Sequence, residues 1–490
     1  MIPDFPAFQR LARKGNLVAV MESIPADLET PVSSFLKLAA KLPYAYLFES
    51  AEQEEKIGRY SFIGLEPAAV FTALGGKVSV RRNRKAAAPA GSEHLLTHLE
   101  KEIGDFRLAN PEAMPGFCGG FVGYLSYENV EFFENIRLAP KKGPAIPEGV
   151  FFLTKEFLIF DHFRKTLSVV VLAGAGKGDN LKSSYENARR KIAGYLRKLR
   201  APLRLRPPGR KIRSPSIESN MTPAEFIRKV GRIKEYIRAG DCIQVVLSQR
   251  FTIDGVPEHF QIYRALRSIN PSPYMFYFRA GGVCLVGSSP ELLVKKTGSE
   301  VEVRPIAGTR PRGDNPAKDF ANEESLRKSA KEMAEHLMLV DLGRNDLGRV
   351  CRFDSIRVKN FARVERYSHV MHLVSDVTGK LKAGRNAFDL LRATFPAGTV
   401  SGAPKIRAMQ IINELEPENR GPYAGCVGYF SFSRDMDMCI TIRTLVLHKN
   451  KIYLQAGAGI VKDSSPEREY QETVNKAKAL LKAIARRGEF

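Results

Sequence analysis

Residues 120–127, GFVGYLSY, return nearly unchanged at 425–432 as GCVGYFSF, with Gly, Val, Gly, Tyr and Ser in the same register. Small and bulky residues alternate in both, which is a strand pattern. A fainter pair accompanies them. Pro43-Tyr44 ahead of a strand and the run FIGLEP (62–67) parallel Pro273-Tyr274 ahead of VGSSP (286–290). Two readings stand: chance likeness between Gly-rich strands, or two related half-domains whose sheets pack together. Working outward, strand patterns dominate 44–75, 116–172, 242–305 and 423–460. Helical patterns dominate 30–41, 181–200, 222–239, 322–342, 385–394, 403–415 and 466–487. The two kinds do not alternate regularly, which predicts an α+β fold with large mixed or antiparallel sheets flanked by helices.

Punctuation divides the chain. RPPGRKIRSPSIESN (206–220) has Pro, Ser, Gly and charge without periodicity and reads as a linker. Thr222-Pro223-Ala224-Glu225 then forms a capping box with Pro at the first helical position. Phe226, Val230, Ile233 and Ile237 keep one face apolar, and Gly240 ends the helix. The expected units are an N-terminal domain, 1–215, and a second domain, 216–490.

Composition narrows the function classes. A length of 490 residues, 44% hydrophobic and 26% charged, fits a globular protein with more than one core. No apolar run reaches the ~18 residues of a membrane span. The N-terminus lacks an apolar signal core and is expected to be mature as written. Six scattered cysteines without a C-x-x-C pair argue against a zinc site or disulfide framework and for a reducing cytoplasm. The net charge of +23 raises the question of nucleic acid. Its densest block, 177–213, holds 13 basic and 2 acidic residues and reads as a solvated amphipathic helix running into the linker. No nucleic-acid motif surrounds it, so no nucleic-acid partner is expected.

Two carboxylate pairs carry chemistry. Glu332 and Glu335 lie three apart on one helical pattern, with His336 beside them, and Glu469 and Glu472 lie three apart on another. Residues at this spacing share a helix face. Two such helices converging would suit a hard cation such as Mg²⁺. Alternatively they are solvated faces paired with Lys331 or Arg468. Glu291, in SSPELL, is either a turn cap or an active-site acid. QAGAGIV (455–461) reads as a strand end whose Gly457, Ala458 and Gly459 offer successive N–H groups to a carboxylate, with Arg443 of CITIRTL aimed at the same place. The plainer reading is a structural Gly-rich strand. GTVSGAPK (398–405) reads as a cap and packing turn, and AGAGKGD (173–179) as a surface turn.

These stretches together resemble the chorismate-utilising enzymes. The carrying motifs are LFES (47–50), NPSPYMF (270–276), GSSPELL (287–293), RPIAGTRPRG (304–313), EHLMLVDLGRNDLGRV (335–350), GTVSGAPKIRAM (398–409), GPYAGCVGYF (421–430), QAGAGIV (455–461) and EREYQETVNKA (467–477). They fall in order over about residues 40 to 485. The resemblance implies the chorismate-binding-enzyme fold, with an N-terminal regulatory region and a catalytic domain, and Mg²⁺ in the active site. Glu335 and Glu472 would be direct ligands, with Glu332 and Glu469 completing the site. Gly308, Thr309, Tyr423, Arg443 and Gly457 to Gly459 would hold chorismate. Glu291 is the first choice of proton donor and His372 the second.

The branch turns on two residues. Water-adding members carry a Lys where this chain has Gln244, and a neutral amide cannot deprotonate water. The aminodeoxychorismate branch typically carries a nucleophilic Lys at Ala307, which has none. Ammonia must then attack chorismate itself, which points to the anthranilate branch, with aminodeoxychorismate formation as the alternative. The resemblance further implies a separate glutamine amidotransferase subunit supplying ammonia, a heterotetrameric assembly and feedback inhibition by L-tryptophan. The landmarks of a tryptophan pocket are Glu49-Ser50 with Pro273, Tyr274 and Met275, and Phe48 stands where the family usually has Leu.

Overall fold

The computed structural model describes residues 1–489 except 51–57, 83–84, 92, 204–215, 256–257 and 368–369. The two echoing stretches lie side by side in it. Strand Gly120–Leu125 pairs antiparallel with Cys426–Ser431, and Gly123 faces Gly428. The second echo is also structural. Tyr46 covers Gly64 on the neighbouring strand, and Phe276 covers Gly287. A Cβ on Gly64 would lie 1.8 Å from the Tyr46 ring, and one on Gly287 would lie 2.1 Å from the Phe276 ring. Both halves therefore need glycine at the same place, so that an aromatic ring can lie flat on the strand.

Among the described residues the strands form two twelve-stranded sheets, antiparallel throughout. Each takes strands from both sides of residue 216. In the first, Tyr44–Glu49 pairs with Tyr274–Ala280 and joins the halves. In the second, the Gly120–Leu125 and Cys426–Ser431 pair does so. The sheets stack face to face over an aromatic core, with Phe152 of the second stacked on Phe278 of the first at 4.4 Å. Helices Pro31–Leu38, Leu181–Arg200, His259–Ile269 and Pro466–Arg486 cover the outer face of the first sheet. Ala387–Thr394 packs on the second, where Phe388 stacks on Phe430 at 4.1 Å. This is the expected α+β arrangement.

The chain crosses between the sheets twice at one rim. Residues 290–291 connect Val283–Ser289 to Leu292–Thr297, and 441–443 connect Met436–Ile440 to Thr444–His448. The crossings are bonded to each other. Ile440 N donates to the Glu291 carbonyl at 3.0 Å, Ser288 N to the Arg443 carbonyl at 3.1 Å, and Ser289 Oγ to the Ile440 carbonyl at 2.7 Å. Two chemically distinctive side chains thus start from adjacent, mutually braced positions.

Local details refine the sequence reading. The Thr222–Glu225 capping box is present, with Thr222 N to Glu225 Oε2 at 2.7 Å and Glu225 N to Thr222 Oγ1 at 3.2 Å. The 322–342 pattern is two helices, Pro316–Lys328 and Ala330–Gly348, because Ser329 adopts extended backbone and its hydroxyl caps the second by accepting from Glu332 N at 3.4 Å. Most of the linker, 206–215, lies outside the described residues; Ile217–Ser219 at its end is a short edge strand on residues 251–253. The basic helix Leu181–Arg200 buries Tyr185, Ala188, Ile192, Leu196 and Leu199. All six cysteines are buried and unpaired, and no helix among the described residues is long and apolar enough to cross a membrane.

Candidate active site

A cavity of about 410 Å³ opens beside the two crossings. Helix Ala330–Gly348 brings Glu332 and Glu335 to one wall, and helix Pro466–Arg486 brings Glu469 and Glu472 to another. The i, i+3 spacing puts each pair on one face, and tertiary packing turns both faces inward. His336, next in sequence, points the other way. It is fully buried, with Nε2 2.6 Å from Ser375 Oγ.

The acids differ in their partners. Glu335 Oε1 accepts from Gln244 Nε2 at 3.1 Å. Burial raises its pKa, and the neighbouring Glu332 and Glu472 charges raise it further. Burial likewise raises Glu469, helped by Glu472. Glu332 pairs with Arg310 at 3.1 Å and Glu472 with Lys476 at 2.6 Å, so the solvated-face pairing expected with Lys331 or Arg468 is made by other cations. Among the described residues, no three His, Cys, Asp or Glu side chains stand as a closed metal-binding group.

Glu291 is the most perturbed carboxyl of the site. It is 7% exposed, and burial pushes its pKa up to about 8, against weaker opposing effects of Thr399 and Lys476. A carboxyl in this environment keeps its proton at neutral pH. His372 behaves oppositely. Its Nδ1 lies 2.8 Å from the Gly308 carbonyl and 3.1 Å from Thr309 Oγ1. A carbonyl only accepts, so the proton sits on Nδ1 and Nε2 is an acceptor. Burial lowers the His372 pKa, and the Arg443 and Lys476 charges lower it further, which keeps the ring neutral.

The opposite wall is built from glycine strand and cation. Strand Lys451–Ile460 pairs with Gln244–Asp254, Gly457 facing Ser248 and Gly459 facing Val246. Lys476 Nζ donates to the Gly457 carbonyl at 2.9 Å. A Cβ on Gly457 would come 2.7 Å from the Tyr423 hydroxyl, and one on Gly459 would come 2.5 Å from Gln244 Nε2. The expected run of three successive N–H groups is not formed. A strand turns alternate residues to opposite sides, so Gly457 and Gly459 line the cavity while Ala458 is fully buried in an apolar cluster with Val245 and Leu247. Arg443 also differs from expectation. It sits in the crossing rather than on a strand, at φ 51°, and donates Nη1 to the Lys476 carbonyl at 3.2 Å. Ala307 faces the cavity from strand Ile306–Pro311, beside Gly308 and Thr309.

Lys476 and Thr399 also line the cavity, beyond the residues expected from the sequence. Lys476 lies four residues after Glu472, a spacing that would have revealed it. Thr399 belongs to a stretch that reads as a packing turn, and nothing local marks it.

With this geometry in view, the comparisons are informative. A family profile described as chorismate binding enzyme matches residues 43–482. The chain belongs to that family. The anthranilate synthase component 1 of Acetivibrio thermocellus is 43% identical over 495 residues, covering 100% of this chain and 99% of that protein. That of Aquifex aeolicus is 46% identical over 481 residues, covering 97% and 96%. The crystal structure of anthranilate synthase component I from Streptococcus pneumoniae superposes with a TM-score of 0.78 at 34% identity, covering 94% of this chain and 99% of that one. The menaquinone-specific isochorismate synthase of Escherichia coli, at 19% identity and a TM-score of 0.72, shares the fold.

This chorismate-binding enzyme also has a cavity of about 570 Å³ between the sheets where the tryptophan landmarks fall. Phe48, Ser50, Pro273 and Tyr274 line it. The Ser50 hydroxyl has no partner among the described residues, and Tyr274 OH donates to Asp437 Oδ1 at 3.0 Å. Met275 and Glu49 alternate to the other face. The Met275 side chain lies in the apolar cluster that includes Phe260 and Tyr263, and the Glu49 carboxylate is held by Tyr263 and by Arg267 at 3.0 Å. Met275 thus offers main chain rather than side chain to this cavity.

Proposed function

We propose that the chain is the chorismate-converting component of an anthranilate synthase, turning chorismate and ammonia into anthranilate and pyruvate, the first committed step of tryptophan formation. The observation that carries the choice of branch is the pair Gln244 and Ala307, both facing the cavity. Neither an amide nor a methyl group can supply a base or a nucleophile, so the amine must enter as ammonia.

The residues divide the work. Arg443, Lys476 and the main chain of Gly457 and Gly459 suit a carboxylate of the dianionic substrate. Ammonia adds at ring carbon 2 and loses a proton, while the hydroxyl at carbon 4 leaves as water with a proton from Glu291. Loss of the proton at ring carbon 2 and of the enolpyruvyl group from carbon 3, which takes up a proton to become pyruvate, then aromatises the ring. A neutral His372 with its proton on Nδ1 is poorly suited to donate from Nε2, which favours Glu291 as the acid. The four glutamates fit Mg²⁺ by chemistry: hard oxygens, no thiol, and mutual repulsion that a cation would relieve. Glu335 and Glu472 would hold it, with Glu332 and Glu469 in support. Bound there, it would neutralise the ring carboxylate and draw electrons from the diene.

Chorismate, Mg²⁺ and an ammonium salt should give anthranilate, read by its fluorescence. Without ammonia no isochorismate should form, and no covalent adduct should be trapped on the strand bearing Ala307. Detection of either species by mass spectrometry would overturn the branch. In the cell, ammonia would come from glutamine through an amidotransferase subunit in a heterotetramer, in line with the "component 1" in the relatives' names. Buried free thiols accord with a cytoplasmic setting.

The inter-sheet cavity would take L-tryptophan as feedback inhibitor. Its apolar walls suit an indole, and the unpartnered Ser50 hydroxyl suits the polar end. Ser50→Phe should raise the tryptophan concentration needed for inhibition by about tenfold or more while basal turnover persists. Wild-type turnover indifferent to millimolar tryptophan would sink this assignment.

A further inference from the structure

A third cavity, about 570 Å³, lies behind the active site. Tyr423 and Gln455 line both it and the catalytic cavity. Its apolar wall comes from the N-terminal half: Val78, Leu95, Phe132, Leu138 and Ile146. Its polar floor comes from the C-terminal half, through Arg250, Tyr453 and Gln455.

The polar groups here are incompletely used. Arg250 is 6% exposed; it donates to Glu418 and to the Asn419 carbonyl at 3.2 Å, yet its Nε has no partner among the described residues. Glu148 accepts from Gly75 N at 2.9 Å through Oε1, and its Oε2 has no partner among the described residues. Gln455 Oε1 and Thr441 Oγ1, also in this wall, have no partner among the described residues either. Glu128 accepts from Gly421 N at 3.1 Å, and burial pushes its carboxyl up to about 7 despite Arg420 nearby. Folded proteins pair nearly all such groups. An unused guanidinium N–H, an unused Glu148 carboxylate oxygen with the Glu128 carboxyl in the same lining, and an apolar wall in one cavity describe the complement of a zwitterion with an apolar tail.

We propose that this cavity binds a free α-amino acid with an apolar side chain, its carboxylate at Arg250, its ammonium at Glu128 and Glu148, and its side chain against Val78, Leu95 and Ile146. The ligand touches Tyr423 and Gln455 from behind, so its occupancy biases how those residues meet the substrate. The binding itself does not depend on the reaction assigned above.

The chain contains no Trp, so Phe132→Trp, on the cavity wall and 60% exposed, makes a single reporter in the full-length protein. L-Leucine, L-methionine and L-phenylalanine would be titrated against its fluorescence, with leucinamide and N-acetyl-leucine as analogues lacking one charge. The expected result is saturable binding of at least one free amino acid. Each capped analogue should bind about tenfold more weakly, and Glu128→Gln should weaken the free amino acid by about the same factor without lowering the melting temperature. The proposal is overturned by no saturable signal in the millimolar range, or by equal binding of the capped analogues. It is equally overturned by a signal that persists in Glu128→Gln but vanishes in Ser50→Phe, which would place the ligand between the sheets.

Discussion

Glu291→Gln lowers anthranilate formation by about two to four orders of magnitude, the usual contribution of a positioned proton donor, while the fold persists. The physical basis is a carboxyl kept protonated by burial at the crossing between the sheets. Its folded pKa, about 8, lies above its ordinary 4.5. The folded state therefore holds a proton that the unfolded state releases, and stability falls as pH rises through the window between those values, flattening above it. The Gln variant lacks this decline. Denaturant unfolding of both proteins across that window checks the sign without reference to catalysis. In the wild type, turnover should fall as pH rises above about 8, as the donor loses its proton. Parallel stability profiles, or near-normal turnover in the variant, would remove Glu291 from the role and return attention to His372.

Glu335→Ala and Glu472→Ala should each weaken Mg²⁺ binding on the order of a hundredfold or more and abolish turnover at ordinary Mg²⁺ concentrations. Calorimetric titration of Mg²⁺ into the full chain, without substrate, reads binding directly. The two residues start from different states. Glu335 is held by Gln244, whereas Glu472 must exchange its Lys476 partner for the cation. Lys476→Met should accordingly leave Mg²⁺ binding intact or tighter while weakening chorismate binding. Unchanged Mg²⁺ affinity in both glutamate variants would show that the converging pairs serve another end.

The sequence alone was enough for whatever depends on short-range geometry or on ordered motifs. The capping box at Thr222 is a contact between residues three apart, and the carboxylate pairs share a face because a helix repeats every 3.6 residues. The repeated GFVGYLSY and GCVGYFSF strands were visible as an echo, and the ordered motifs from 40 to 485 placed the family. Strand alternation, which turns Ala458 away from Gly457, and the i+4 spacing of Glu472 and Lys476 are equally local signals, although the expected run of three N–H groups passes over the first and the reading of the carboxylate pairs over the second. Tertiary structure alone decided the rest. No local rule says that the echoing strands pair with each other, so that each sheet is shared across residue 216. Nor does one say that two crossings between sheets brace Glu291 against Arg443, or that Thr399 reaches the cavity. These contacts join residues up to several hundred positions apart. Burial, which sets the protonation of Glu291, His372 and Glu335, is a property of everything packed around a side chain, and it exists only once the two sheets have closed on each other.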